Sequence, residues 1–471
     1  MTRRSFAGMS GAGIAAAAQA VAAQAKRPNV LLIVADDLGA RDTSFQGGTI
    51  PTPHLDRIAR EGVRFDQFCC YPLCTPSRAA LMTGRNPVRY GLIYSVIRPW
   101  SPYGVPTEEL MLSEVLRREG YQTAIVGKWH LGHAHKRQLP NARGFDHFYG
   151  HVNAEIDYFE HTEMGGLDWQ RNGRGVREKG YSTELMGNEA IRWLGRRDRN
   201  KPFFLYLPFN AVHGPMQAPA EAIAKFAGIE NPKRRIYAAM TDLMDAQIGR
   251  ILDLLDAEGS AADTLVMFLS DNGGATGSGA DNRPFRNGKL SCYEGGLRVP
   301  AALRWPGRVP KGGMIPEWMT VLDVFPTLCS ALGVVSGGGL PLDGVDMWPV
   351  VTASGKTPER DFFVACKRNE TLDFQYGLRT SEWKLVQTVD PQQKTTLELF
   401  NLREDVEEKN NVAGREPDVL SRLSAELERW KKLHPHASVD SSMMPHPGWL
   451  PPLDYAEVAA AYPVQTRTGK K

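Results

Sequence analysis

Cys74-Thr75-Pro76-Ser77-Arg78, followed by Ala79-Ala80-Leu81-Met82-Thr83-Gly84-Arg85, sets a thiol at the start of a helix-forming run. Thr75 suits an N-cap, Pro76 the first helical position, and Gly84 a stop. A side chain at Cys74 then faces a helix N-terminus, where unpaired N–H groups and the dipole favour an anion. Far away in sequence, Asp36-Asp37 and Asp271-Asn272 offer only oxygen ligands. That donor set suits a hard cation such as calcium and argues against zinc. Lys128, His130, His213 and Lys289 add positive charge and proton-transfer groups. His130, His133 and His135 lack an H-E-x-x-H pattern, and His133 and His135 read as surface residues.

The elements that must hold these groups are short apolar runs ending in polar clusters. Val30 to Ala35 ends at Asp36-Asp37, Thr123 to Val126 at Gly127-Lys128-Trp129-His130, Phe203 to Leu207 near His213, and Thr264 to Leu269 at Asp271-Asn272. Unbroken runs of this kind suit strands buried on both faces of a mostly parallel sheet. Helical patterns lie between them, notably Arg235 to Glu258 with its stripe Ile236, Leu243, Ile248, Ile251, Leu252 and Leu255. The alternation predicts an α/β sandwich, with ligands beyond the carboxyl ends of the strands. Gly337-Gly338-Gly339 and the stretch to about Pro358 suggest a boundary. Past it, four short antiparallel strands over 361–401 and a helix over 416–433 are expected, followed by an extended tail.

C-x-P-x-R followed by L-x-T-G-R resembles the signature of the type I sulfatases. Asp36-Asp37, Gly127-Lys128-Trp129-His130-Leu131-Gly132, His213, Asp271-Asn272-Gly273-Gly274, and Lys289 before Tyr293-Glu294-Gly295-Gly296-Leu297-Arg298-Val299-Pro300 stand in that family's order. Arg143-Gly144-Phe145-Asp146, Asp157-Tyr158, Tyr181-Ser182-Thr183 and His213-Gly214-Pro215 are most similar to the arylsulfatase B group, which acts on N-acetylgalactosamine 4-sulfate. The resemblance implies an alkaline-phosphatase-like fold with a large mixed, mostly parallel sheet and a smaller C-terminal α+β domain built on an antiparallel sheet. It implies hydrolysis of sulfate monoesters, on sulfated carbohydrate or aryl sulfate. It also implies that a maturase oxidises Cys74 to formylglycine, whose hydrate is the nucleophile. Asp36, Asp37, Asp271, Asn272 and residue 74 would hold Ca2+; Lys128 and Lys289 would stabilise the sulfate oxygens. His130 would take the hydrate's proton, Arg78 would pair with ligand carboxylates or orient the hydrate, and His213, helped by Lys289, would protonate the leaving oxygen. Rival readings are a phosphomonoester or phosphonate hydrolase of the wider superfamily, and an inactive module that binds sulfated polysaccharide.

Arg3-Arg4-Ser5-Phe6, the Ala-rich run to Ala23 and Ala23-Gln24-Ala25 read as a twin-arginine signal over 1–25. Export of a bacterial protein by the Tat machinery to the periplasm or beyond is the expectation. The catalytic domain is then 26–355, the C-terminal subdomain 356–445 and the tail 446–471. With 471 residues and 42% apolar composition the chain can bury a large core. Its 56 Lys and Arg against 53 Asp and Glu are too balanced for a nucleic-acid-binding surface. No later run reaches a membrane span. Six cysteines are too few for a disulfide framework at this length.

Overall fold

The structure, a computed structural model, describes residues 27–353, 355–368, 373–435 and 444–461. The expected signal at 1–25 and the last ten residues lie outside this set. Ten strands form the central sheet: β1 (Asn29–Ala35), β2 (Val63–Phe65), β3 (Gln122–Lys128), β4 (His147–His151), β5 (Gln170–Arg171), β6 (Arg174–Gly175), β7 (Phe203–Pro208), β8 (Thr264–Ser270), β9 (Ala301–Arg304) and β10 (Gly313–Ile315). Their spatial order is β10-β2-β9-β8-β1-β7-β3-β4-β5-β6. The middle, β8-β1-β7-β3-β4, is parallel throughout, and the antiparallel pairs lie towards the edges.

Alternation explains why the apolar runs are unbroken. Val30, Leu32 and Val34 of β1 enter one core, and Leu31, Ile33 and Ala35 enter the other. A strand sandwiched this way has no face for polar residues, so its polar groups collect where it ends. The second core is closed by α1 (Pro53–Glu61), α4 (Ser182–Arg196) and α5 (Pro232–Ala257). On the first lie α2 (Cys74–Thr83), α3 (Leu112–Arg118) and α7 (Val324–Leu332); the short α6 is Glu294–Leu297.

The C-terminal sheet is a four-stranded antiparallel meander, β11 (Phe362–Lys367), β12 (Phe374–Arg379), β13 (Trp383–Val389) and β14 (Thr395–Asn401), followed by α8 (Pro417–Lys431). Leu423, Leu427 and Trp430 are the buried residues of α8. The apolar core runs without a break from the central sheet into this unit: Tyr71 packs edge-on against Phe362 with centroids 5.0 Å apart. The tail is not wholly extended. Asp454 bridges to Leu167, and α9 (Tyr455–Ala461) follows with Tyr455 buried.

Candidate active site

Register brings the site together. Ala35 sits opposite Ser270, and Val34 opposite Pro208, so β1, β7 and β8 end on one edge. Asp36-Asp37, His213 and Asp271-Asn272 leave from that edge, and Lys128 is the last residue of the neighbouring β3. Gly127 lies in the left-handed region with φ of 134°, and a Cβ there would stand 1.9 Å from the Pro208 carbonyl oxygen. Only glycine lets β3 and β7 approach so closely just before Lys128.

Helix α2 begins two residues earlier than the sequence suggests: Leu73 is its N-cap and Cys74 its first residue. Thr75 is otherwise engaged, its hydroxyl donating to the His130 carbonyl at 3.3 Å and accepting from the Ile97 N–H at 3.1 Å. Gly84 ends the helix in the left-handed conformation, as expected. Cys74 Sγ thus lies at a helix N-terminus, 3.4 Å from Asp36 Oδ1 and 4.0 Å from Asp37 Oδ1.

Around this thiol each cation is paired with a carboxylate. Lys128 Nζ donates to Asp36 Oδ2 at 2.6 Å, Lys289 Nζ to Asp37 Oδ2 at 2.8 Å, and Arg78 Nε to Asp271 Oδ2 at 2.9 Å. Arg78 also reaches Asp36 at 3.6 Å. Of the two roles expected for Arg78, pairing with carboxylates is the one seen. Asn272 donates to Asp37 Oδ1 at 2.7 Å, and its own Oδ1 is buried without a hydrogen-bond partner. An orphaned carbonyl oxygen beside three buried carboxylates is the signature of a cation position. Asp36, Asp37, Cys74 and His213 can all present ligand atoms within 4.8 Å of one another. This is the one such group among the described residues. Asp271 stands slightly outside it, drawn towards Arg78.

Burial shifts these groups apart. For Asp37 burial alone would raise the pKa, but Lys289 and His213 hold it well below the usual carboxylate range. Asp271 is pushed up to about 6 by burial and then by Asp36, against the pull of Arg78. The Cys74 thiol is raised well above its ordinary value by burial and by Asp271, so it is not a thiolate at neutral pH.

The two histidines differ. His130 is fully buried, with φ of 57°, and its Nε2 meets the Ile97 carbonyl oxygen at 2.9 Å. Facing an acceptor, Nε2 must carry the proton, which leaves the lone pair on Nδ1, an atom with no protein partner. Burial and then Lys128 keep this ring neutral, far below its ordinary value. His213 is held through Nδ1, 2.8 Å from the Gly214 carbonyl oxygen and 3.6 Å from Glu155 Oε2, with Nε2 turned 3.7 Å from Asp37 Oδ2. Burial, with Lys289, lowers it to about 4. His133 corrects the sequence reading: it is buried, with Nε2 3.0 Å from the Pro99 carbonyl oxygen.

A cavity of about 340 Å³ opens over the site. Cys74, Asp37, His130, His213 and Lys289 form its floor; Lys128, Arg78, Asp36, Asp271 and Asn272 lie in the layer beneath, buried. The outer wall includes residues that no motif announces: Arg98, Glu155, Glu163 and Lys367. Two aromatic residues of the nearby loops pack inward. Tyr158 and Trp169 are fully buried, Tyr158 stacked on Tyr181 and Trp169 on His161.

Residues 28–334 match the Sulfatase family, and residues 287–433 match the family described as N-sulphoglucosamine sulphohydrolase, C-terminal. The chain is 31% identical to arylsulfatase J of Mus musculus over 462 residues, covering 88% of this chain and 77% of that protein. It is 35% identical to N-acetylgalactosamine-6-sulfatase of Homo sapiens over 370 residues, 73% of this chain and 69% of that one. The crystal structure of Ps i-CgsB in complex with k-i-k-neocarrahexaose superposes with a TM-score of 0.82 at 33% identity, covering 89% of this chain and 96% of the other. The long match to the family, the relatives over most of its length and the shared architecture make this chain a member of the sulfatase family, an enzyme that hydrolyses sulfate esters.

Proposed function

We propose that the chain removes sulfate from a sulfated sugar, and from aryl sulfates, at residue 74 converted to formylglycine, with calcium in the carboxylate cluster. One observation carries this reading: a buried position 74 at a helix N-terminus, 3.4 Å from Asp36 Oδ1 and 4.0 Å from Asp37 Oδ1, whose native thiol is held un-ionised. A protonated, buried thiol is a poor nucleophile, whereas a hydrated aldehyde there supplies two hydroxyls on one carbon. Asp36, Asp37, Asp271 and Asn272 would hold the cation, which supplies positive charge to the sulfate oxygens.

The chain's own groups do the rest. Lys289, on the floor, binds a non-bridging oxygen; Lys128, one layer down, adds its field through Asp36. His130 Nδ1, neutral and unpartnered, takes a proton from the second hydroxyl. His213 and Lys289 flank the leaving oxygen. Burial pulls the Lys289 ammonium down but Asp37 raises it above its ordinary value, so at neutral pH Lys289 is the proton carrier of the two.

The motifs favour an N-acetylgalactosamine 4-sulfate subgroup, while one relative is named for the 6-sulfate. Activity on both esters decides which hydroxyl is presented. The same proposal takes 26–355 as the catalytic domain, 356–445 as the C-terminal subdomain, and the first 25 residues as a twin-arginine export signal, the last supported by Arg3-Arg4 and the Ala-rich run. The deciding experiment is the mass of the tryptic peptide Phe65–Arg78 from protein made with a maturase, alongside turnover of 4-nitrophenyl sulfate in calcium. An aldehyde mass with turnover is expected. Equal turnover by protein whose Cys74 is unmodified would refute the nucleophile.

A further inference from the structure

Cys292 and Cys366 meet in the interior where the two sheets join. Their sulfurs are 3.9 Å apart across 74 residues of chain, and both residues are fully buried. Two other thiols face groups of a different kind: Cys70 Sγ donates to the Ser270 carbonyl oxygen at 3.3 Å, and Cys74 Sγ lies beside Asp36. The chemistry proposed for residue 74 uses neither member of the pair.

The backbone on each side is anchored. The Cys292 N–H donates to Gln375 Oε1 at 3.1 Å, and Gln375 of β12 stands opposite Cys366 of β11 in the sheet register. Two residues along β12, Gly377 leaves the room this approach needs, since a Cβ there would stand 3.2 Å from Cys292 Cβ. Glu294, two residues past Cys292, is bound by Arg379 and Lys384 of the same sheet. A disulfide holds its sulfurs at about 2.0 Å, so each sulfur has to travel about 1 Å, a distance that rotation about the Cα–Cβ bonds covers.

We propose that Cys292 and Cys366 close to a disulfide in the working enzyme, fastening the segment that carries Lys289 to the C-terminal sheet. The co-reactant is a small oxidised disulfide such as oxidised glutathione. One cysteine thiolate attacks it, a first glutathione leaves, and a mixed disulfide remains on the protein. The second cysteine then attacks that protein sulfur, the bond between Cys292 and Cys366 forms, and a second glutathione leaves. The protein gives up two electrons and two protons, and the glutathione pair receives them as two thiols. Lys289 lies three residues before Cys292, and Lys367, next to Cys366, lines the cavity, so the bond ties floor to wall. The export proposed for the first 25 residues would carry the chain to an oxidising compartment, where such a bond persists.

Cys292 and then burial push the Cys366 thiol well above its ordinary value, so the closed fold reacts slowly. The test therefore holds the full chain, reduced and freed of reductant, at pH 8 with oxidised glutathione in urea below its unfolding midpoint, where local opening admits the oxidant. Free thiols are then alkylated in denaturant, and the unreduced protein is digested with trypsin. Residues 290–298 and 361–367 should appear as one linked peptide, two hydrogens lighter than the two reduced peptides together. The bond closes a long loop of the unfolded chain, so the oxidised protein should unfold at a urea concentration about 0.5 M or more above that of the reduced one. In Cys366→Ala that difference should vanish. The mass is read on the unaltered chain, so it does not depend on how well the variant folds. Recovery of the two peptides separately alkylated, a glutathione left on either cysteine, or linkage of either to another of the six cysteines overturns the disulfide. A linked peptide with an unchanged midpoint overturns the fastening.

Discussion

The chemistry of residue 74 is governed by what surrounds it. With the thiol un-ionised at the end of α2, Cys74→Ala should abolish turnover of 4-nitrophenyl sulfate. Cys74→Ser, which has one hydroxyl rather than two on its carbon, should give at most one turnover per site in a burst assay. Sustained turnover by the serine variant would eliminate the two-hydroxyl role. The carboxylates make a second prediction. Burial and Asp36 push Asp271 up to about 6 in the ion-free cluster. Its carboxylate is therefore fully available above that value and increasingly protonated below it. Calcium affinity, measured by titrating chelator-stripped protein, should be about tenfold weaker at pH 5 than at pH 7. Equal affinities would show that Asp271 is not a ligand. At this scale the sequence was legible wherever chemistry dictates residue type: the proposed nucleophile, the oxygen donors and the lysines come together as expected. It was silent on Arg98, Glu163 and Lys367, because a wall residue is defined by the fold around it and not by its neighbours in sequence.

At the level of elements, the strand ends position the groups of the candidate site. Gly127→Ala sets a methyl against the Pro208 carbonyl and in a backbone region that L-residues resist. The substitution should cost on the order of 3 kcal/mol or more, seen as a lower urea midpoint, and should displace Lys128. A midpoint unchanged from wild type would mean that β3 can move away from β7 without loss. The central strands and the four C-terminal ones were legible because buried strands are long apolar runs and the meander alternates. Two details were not. The start of α2 moved to Leu73 because the Thr75 hydroxyl is used by His130 and Ile97 instead of capping, a contact made across 55 and 22 residues of chain. His133 looked exposed because loop residues usually are. Here it packs inside, its ring held by the Pro99 carbonyl oxygen.

For the whole molecule, the two sheets are joined by buried charge as well as by apolar contact. Glu294 of α6 is held by Arg298 at 2.6 Å, and by Arg379 at 3.1 Å and Lys384 at 2.9 Å from the C-terminal sheet. Burial would raise its pKa, but Arg379, Lys384 and Arg298 together carry it well below the ordinary value. The pairing therefore stabilises the fold above the pH at which an unfolded glutamate ionises, and is lost as pH falls through the folded value. Glu294→Gln leaves three buried cations short of a partner and should cost about 3–5 kcal/mol. Because the core is continuous, calorimetry should show one unfolding transition for both sheets. Two resolved transitions would mean that the C-terminal sheet folds independently. The shared core also sets a clock. In the folded chain the side chain of Cys74 is out of reach, about 1% exposed. Lys289, the last floor residue, lies 289 − 74 = 215 residues downstream. At ~5–20 residues per second of synthesis, roughly 10–40 s separate the two. On the proposed reading, an enzyme that converts Cys74 has at least that delay in which to reach it before the fold closes over it, so the active fraction would follow a race between modification and folding.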